Sequence, residues 1–321
     1  MSGTQIGYHR SCEEHPAGEL VGFARRAEEA GFSFALISDH FHPWLDVQGH
    51  APFVWSVLGG IARATEKLQV GTGVTAPLLR IHPAIIAQAA ATVATMMPGR
   101  FFLGVGTGEN LNEHVVGRGW PPFLVRLGML SEAIDVIREL WEGGVSGHRG
   151  KHFTVEGARI FDLPDEAPAL LMAASGEDSA RLAGQKADGL ISVAADPGVI
   201  AAFDGAGGMG KPRYVKLTVC FDEDEEEARR LVRETWPMSG IPGRLMSELR
   251  LPTDFGEVAD VLTADRALKG TLCSRDAEAH IGHLNKALEA GFDHIYVHQV
   301  GPKQEEFFNF YEKQVIPSFP T

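Results

Sequence analysis

Cysteine is scarce in this chain. Three residues, Cys12, Cys220 and Cys273, are spread over 321 positions. That is too few and too scattered for a disulfide framework or a zinc cluster, and it suits a reducing compartment. HExxH and CxxC spacings are absent. No apolar run is long enough to cross a membrane. The first residues, Met1-Ser2-Gly3-Thr4-Gln5, lack the charged start and apolar core of a signal peptide. A cytoplasmic location is expected. Positive charge is also in deficit, with 29 Lys and Arg against 42 Asp and Glu, a formal net charge of −13. This argues against nucleic acid or an anionic membrane as a partner. A small anionic ligand stays open, because a helix N-terminus or a nest of backbone N–H groups binds one locally. No linker, composition shift or fixed-period repeat divides the chain.

What is present is alternation. Short apolar runs predict strands over residues 5–9, 32–39, 68–74, 101–106, 169–174, 189–193, 214–221 and 294–299. Helical spacing predicts helices over 17–30, 53–65, 84–97, 123–141, 178–185, 222–236, 277–290 and 303–315. The acidic run 222–227 reads as a solvated helix start, where the macrodipole favours acids. Residues 142–168 read as an excursion with short strands at 152–155 and 159–161. Residues 205–210 read as a glycine-rich loop, and 237–271 as an unclear stretch of short helices. Eight strands alternating with helices predict a single α/β domain over 1–321. It is a TIM (β/α)8 barrel with its excursion after the fourth strand–helix unit, not two dinucleotide-binding halves. The excursion and residues 237–270 are expected to shape specificity.

Two strand ends carry chemistry. The run Phe34–Ile37 leads into Ser38-Asp39-His40-Phe41-His42-Pro43-Trp44. An acid, two histidines and a tryptophan make a poor core and a good site, since strand ends present reactive groups on a rigid frame. Gly104-Val105-Gly106-Thr107-Gly108-Glu109-Asn110 closes another strand in the same way. Each residue also has a plainer reading. His40 alone is an ordinary loop histidine; its strand-end position beside Asp39 and Trp44 favours function. Glu109 alone is a surface acid or a cap; its glycine flanks favour function. Trp44 serves equally as a loop anchor. Glu13 reads as a helix-start acid.

Two further patterns fail on inspection. Gly71-Thr72-Gly73-Val74-Thr75-Ala76 imitates a dinucleotide-binding turn. However, Pro77 does not suit the helix that turn opens, and no Asp or Glu lies between Glu66 and Glu109 to hold a ribose. His40-x-His42 imitates a metal pair. Only Asp196 and His298 remain as further ligands at strand ends, so no metal is expected.

Taken together, several pieces resemble the luciferase-like flavin and deazaflavin oxidoreductases, and most closely the coenzyme F420-dependent glucose-6-phosphate dehydrogenase group. They are Ser38-Asp39-His40-Phe41-x-Pro43-Trp44, Gly49-His50-Ala51-Pro52-Phe53, Ala84-x-Ile86-Ala87-Gln88 and Phe102-Leu103-Gly104-Val105-Gly106-Thr107-Gly108-Glu109-x-Leu111-Asn112-Glu113. The resemblance runs through nearly the whole chain. It implies a TIM barrel with an excursion, usually a homodimer, that binds coenzyme F420. It implies contacts to the deazaflavin from Asp39, Thr107 and Asn112, and a cis peptide at Gly73–Val74 behind the ring. It implies that backbone N–H groups at Ala174, Ser175 and Gly176 hold the cofactor phosphate. His40, Trp44, Glu109 and Glu13 fall at the family's active-site positions. The implied reaction is hydride transfer with His40 as general base, Glu109 managing a proton at the deazaflavin, and Trp44 walling the pocket.

One departure matters. The basic residues that hold the sugar phosphate in that group fall at Asp196, Met246 and Gly270 here. These are an acid, an apolar side chain and no side chain. Arg244, Arg250 and Lys269 stand nearby. The expected substrate is therefore a secondary alcohol, a ketone or an unphosphorylated sugar, not glucose 6-phosphate. Reduction of an activated double bond, a flavin mononucleotide monooxygenase and a non-catalytic cofactor-binding protein are the alternatives.

Overall fold

The computed structural model describes residues 4–319. In chain order the strands are β1 (Gln5–Arg10), β2 (Phe34–Ile37), β3 (Gln69–Thr72), β4 (Phe101–Val105), β5 (Ser146–Arg149), β6 (Thr154–Ala158), β7 (Ala169–Ala173), β8 (Gly189–Ser192), β9 (Arg213–Cys220), β10 (Thr271–Cys273) and β11 (His294–Gln299). The helices are α1 (Ala17–Glu29), α2 (Val54–Ala64), α3 (Pro83–Met96), α4 (Asn110–Glu113), α5 (Phe123–Trp141), α6 (Glu177–Lys186), α7 (Pro197–Phe203), α8 (Glu225–Thr235), α9 (Gly243–Glu248), α10 (Pro252–Asp260), α11 (Ala264–Ala267), α12 (Ala277–Glu289) and α13 (Gln304–Phe310).

Eight parallel strands close on themselves. Following hydrogen-bonded neighbours gives β9, β11, β1, β2, β3, β4, β7 and β8, and β8 returns to β9. This is the predicted TIM barrel. Strand side chains alternate in and out. The outward set, such as Ile6, Ala35, Ile37, Val70 and Leu103, packs under the helix ring. The inward set forms a second cluster of Phe34, Leu36, Phe102, Leu171, Ile191, Tyr214 and Tyr296. Two glycines make room for it. A Cβ at Gly7 would lie 2.4 Å from the Phe34 ring, and one at Gly71 would lie 2.0 Å from the Phe102 ring. Gly71 is thus part of the barrel filling. No helix opens at this turn either, since α3 begins only at Pro83.

Several expectations need correction. The excursion is an antiparallel hairpin of β5 and β6, and the strand expected at 159–161 does not form. Phe161 is exposed there under the Arg159 guanidinium, with no strand beside it. Helix α7 was not predicted; its start is an Asp196 cap followed by Pro197. The segment 205–210 is partly wound into a wide helical turn, interrupted at Gly207. The acidic run does not belong wholly to a solvated helix start. Asp224 caps α8, but Asp222 is buried and pairs with Lys303 at 2.9 Å. The last helix ends at Phe310 and continues to Val315 as a wider turn.

Candidate active site

The candidate residues gather at the carboxyl ends of the strands, the face where barrels of this kind carry chemistry. Arg10 of β1 lies opposite Ile37 of β2. The two chains therefore leave the sheet side by side, which brings Ser11–Glu13 against Ser38–His40. Glu13 is no helix-start acid; it is buried four residues before α1. Its carboxylate accepts hydrogen bonds from Ser38 Oγ at 2.6 Å and Ser11 Oγ at 3.0 Å. His40 Nε2 lies 3.2 Å from the same carboxylate, and His40 Nδ1 is 3.0 Å from the His42 carbonyl. Burial would raise the Glu13 carboxyl. The His40 ring and the hydrogen bonds from Ser38, its own backbone and Ser11 outweigh that and hold it below the usual glutamate range. Both ring nitrogens of His40 face oxygen acceptors. Nδ1–H can donate to the carbonyl, and the Glu13 carboxylate sits where it can pair with a protonated Nε2.

Trp44 stands edge-on to His40, with ring centroids 4.8 Å apart, and its other side meets Phe255 of α10 at 5.2 Å. Gln48 accepts from the backbone N–H of Trp44 and donates to the Thr235 carbonyl at the end of α8. Trp44 is thus both a loop anchor and a wall. With Leu45, Leu111, Trp236, Met238, Ile241 and Phe255 it forms an apolar roof over the barrel mouth.

Asp39 points away from His40, into an ion network. Arg80 Nη2 lies 2.7 Å from Asp39 Oδ1, and Thr75 Oγ1 donates to Oδ2. The same guanidinium faces Glu113, whose Oε2 accepts from the backbone N–H of Arg80 at 2.8 Å and of Leu79 at 3.1 Å. Burial works against the Arg80 charge, but Asp39 and Glu113 raise its pKa above the ordinary value. Glu113 Oε1 stays 3.6 Å from Arg80 Nε, too far for a hydrogen bond, and burial pushes this carboxyl up. Asn112 spends its Oδ1 on the backbone N–H groups of Phe41 at 2.9 Å and His42 at 3.3 Å, and its Nδ2 reaches Glu109 Oε2 at 3.4 Å. The His40 loop is therefore clamped to α4. Glu109 occupies the N-cap position of α4. Thr107 is half-buried on the loop before it. The peptide joining Gly73 to Val74 is cis, and Val74 packs on the interior cluster.

Ala174, Ser175 and Gly176 bridge β7 and α6. Gly176 sits at the N-cap of α6 without a side-chain cap, and a Cβ there would meet nothing within 4 Å. The first-turn acids Glu177 and Asp178 are drawn off by Arg181, at 2.6 and 3.4 Å. The open N–H groups of this helix start fit a phosphate. The positions expected to hold a sugar phosphate do not. Asp196 is exposed and accepts from Gly198 N at 2.8 Å as the cap of α7. Met246 packs against the apolar roof, and Gly270 has no side chain. Arg244, Arg250 and Lys269 are exposed.

The roles of several site residues escaped the sequence reading. Arg80 and Ser38 carry no local signal beyond their neighbours. His298 Nε2 pairs with Glu14 at 2.6 Å, across the end-to-end closure of the barrel. Lys216 did leave a signal, as a lone charge inside an otherwise apolar strand.

The family model for luciferase-like monooxygenases matches residues 1–294. An F420-dependent glucose-6-phosphate dehydrogenase from Kribbella flavida is 37% identical, over 98% of this chain and 97% of its own. One from Microbacterium testaceum is 34% identical, over 98% and 96%. A solved F420-dependent secondary alcohol dehydrogenase, in complex with an F420–acetone adduct, matches with a TM-score of 0.92 at 30% identity, covering 99% of this chain and all of that one. The coenzyme F420-dependent tetrahydromethanopterin reductase of Methanopyrus kandleri shares the fold, with a TM-score of 0.80 at 21% identity. With the closed barrel, the excursion and the strand-end cluster in place, the chain belongs to the luciferase-like family, among its F420-dependent oxidoreductases.

Proposed function

We propose that this protein transfers a hydride between coenzyme F420 and an alcohol or carbonyl substrate that carries no phosphate: a secondary alcohol, a ketone or a sugar. The observation that carries the reading is the buried His40–Glu13 pair under Trp44, one strand along the mouth from Gly73–Val74. When bound, the deazaflavin supplies hydride chemistry with little reactivity toward oxygen. The open start of α6 would hold its phosphate, and Val74 would back its ring. Thr107, Asp39 and Asn112 would line or support the same side, the last two mainly by fixing the loops they already bind.

The chain's own part is proton management and orientation. His40 Nε2, 3.2 Å from Glu13, would give a proton to a substrate oxygen during ketone reduction and take one back during alcohol oxidation. His42 and Asn112 fix the loop that aims the ring. Trp44 and Phe255 exclude water from the pair, which strengthens its electrostatics. Glu109, at the start of α4 beside Asn112, would manage a proton at the cofactor. The state of the former phosphate positions, a cap at Asp196 and an apolar contact at Met246, supports a substrate other than glucose 6-phosphate. No described helix is long and apolar enough to cross a membrane. Exposed Ile85 and Met96 on α3 and Phe53 before α2 suit the homodimer of the family.

The test is a spectroscopic titration with oxidised F420 and with flavin mononucleotide, then a panel of alcohols and sugar phosphates. Tight F420 binding and bleaching by an unphosphorylated alcohol is the expected result. Preference for flavin mononucleotide with oxygen uptake would make the protein a monooxygenase. Oxidation of the reduced cofactor only by activated alkenes would make it a double-bond reductase. Binding without any turnover would leave a carrier.

A further inference from the structure

A second polar cluster faces the mouth from the side opposite β3. In the eight-membered ring of strands, β9 lies four places from β3. Tyr214 of β9 is part of the interior cluster, so by alternation Lys216 also points inward, one layer higher. Its ammonium makes no ion pair or hydrogen bond among the described residues and stands over the face of Trp236, 5.4 Å from the ring centroid. Trp236 in turn packs on the His298 ring at 4.2 Å, and His298 on His9 at 5.2 Å. Both histidines are buried, and the Nδ1 atom of each has no partner. Three polar groups thus converge without a ligand in the chain. Glu13, Glu14 and Glu109 come close enough to act on Lys216 electrostatically, although burial dominates and lowers its pKa. Glu13 and Glu14 are already engaged by His40 and His298.

An ammonium with a long stem is seldom left unpaired in a sheltered site. A partner that arrives with the substrate resolves this, and the unpartnered Nδ1 of His9 can donate a further hydrogen bond to an oxygen-rich group. We propose that Lys216, supported by His9, with His298 packed behind them, is the anchor for a carboxylate on the substrate. The inference rests on the proposed function and narrows it: among unphosphorylated alcohols and ketones, those bearing a carboxylate are preferred. The apolar roof of Trp44, Trp236 and Phe255 would cover the carbon body between the anchor and His40. A phosphate is served less well, because one lysine and two imidazoles meet three glutamates here.

The test separates binding from turnover. Protein loaded with oxidised F420 is titrated with 4-oxopentanoate and with 2-pentanone; neither ketone can react with the oxidised cofactor. The dissociation constant is read from tryptophan fluorescence or calorimetry. The carboxylate is expected to bind about 10- to 100-fold more tightly than the neutral ketone, the range of a charge-assisted contact. Lys216→Met should erase that ratio while leaving 2-pentanone affinity and F420 affinity in place, and Lys216→Arg should restore most of it. Equal affinities in the wild type, or a ratio unchanged in Lys216→Met with a normal melting temperature, overturns the anchor. Bleaching by 4-hydroxypentanoate is scored separately. Carboxylate binding through Lys216 without bleaching would sink the hydride-transfer reading and leave the anchor standing.

Discussion

Glu13→Gln is the most informative single change, because it keeps the shape and removes the charge. The wild-type carboxylate is 2% exposed and serves Ser11, Ser38 and His40 at once. The amide keeps one acceptor oxygen and presents an N–H₂ group where the other was. At least one charge-assisted hydrogen bond is lost, worth about 1.5–3 kcal/mol. Unfolding entropy of about 2.1 cal/mol/K per residue over 321 residues gives roughly 0.7 kcal/mol per degree. The expected drop in melting temperature at neutral pH is therefore about 2–5 °C. The sign with pH follows from the lowered Glu13 pKa. A depressed carboxyl stabilises the folded state above its unfolded value, near 4.3, and loses that contribution as pH falls through the folded value. The gap between wild type and Glu13→Gln should thus be widest near neutrality and shrink on acidification. Catalysis should suffer more than stability, with kcat for ketone reduction down by about 10- to 100-fold and F420 affinity unchanged, since Glu13 positions and charges His40. A gap that widens toward acid pH, or a kcat equal to the wild type, refutes the pairing.

Three further outcomes follow from the same geometry. His40→Ala should lower kcat/KM by about 10²- to 10⁴-fold in both directions with F420 still bound, measured by bleaching of the cofactor; unchanged turnover removes His40 as the acid–base group. Arg80→Met leaves Asp39 and Glu113 buried without their cation and should cost about 3–5 kcal/mol of stability in a denaturant titration, part of it recovered in Arg80→Met/Glu113→Gln; a neutral effect of the single change would mean the network contributes nothing. Glucose 6-phosphate should show a kcat/KM no better than that of glucose, and a ratio above about 100, equivalent to roughly 2.7 kcal/mol, would reveal a rebuilt phosphate grip.

The eight barrel strands were legible because strands buried on both faces read as continuous apolar runs. The hairpin of β5 and β6 was not, since Ser146-Gly147-His148-Arg149 has neither alternation nor an apolar run and is largely solvated on both faces. Helix α7 was missed although Asp196-Pro197 is a start signal, because seven residues leave little periodicity to detect. At the site, His40, Trp44 and Glu109 stood out by local chemistry at a strand end. Their partners did not. Ser38 binds Glu13 only because β1 and β2 run in register, and His298 meets Glu14 only because the barrel closes. Asp222 looked like part of a solvated acidic run until β9 and β11 placed it beside Lys303, 81 positions away. Sequence proximity records propensity; these pairings depend on topology.

The stretch between α8 and β10 is held at both ends. Trp236 closes α8 into the roof, and Thr271 to Cys273 rejoin the sheet alongside Thr218 to Cys220 of β9. Between these clamps the chain contributes Met238, Ile241 and Phe255 to the cover above Trp44, yet no strand of the closed ring passes through it. Loop-closure entropy rises only by about 0.6 kcal/mol for each doubling of length. The segment's length can therefore change at small entropic cost while the strand ends keep their alignment, provided an apolar side chain still meets Trp44 where Phe255 does.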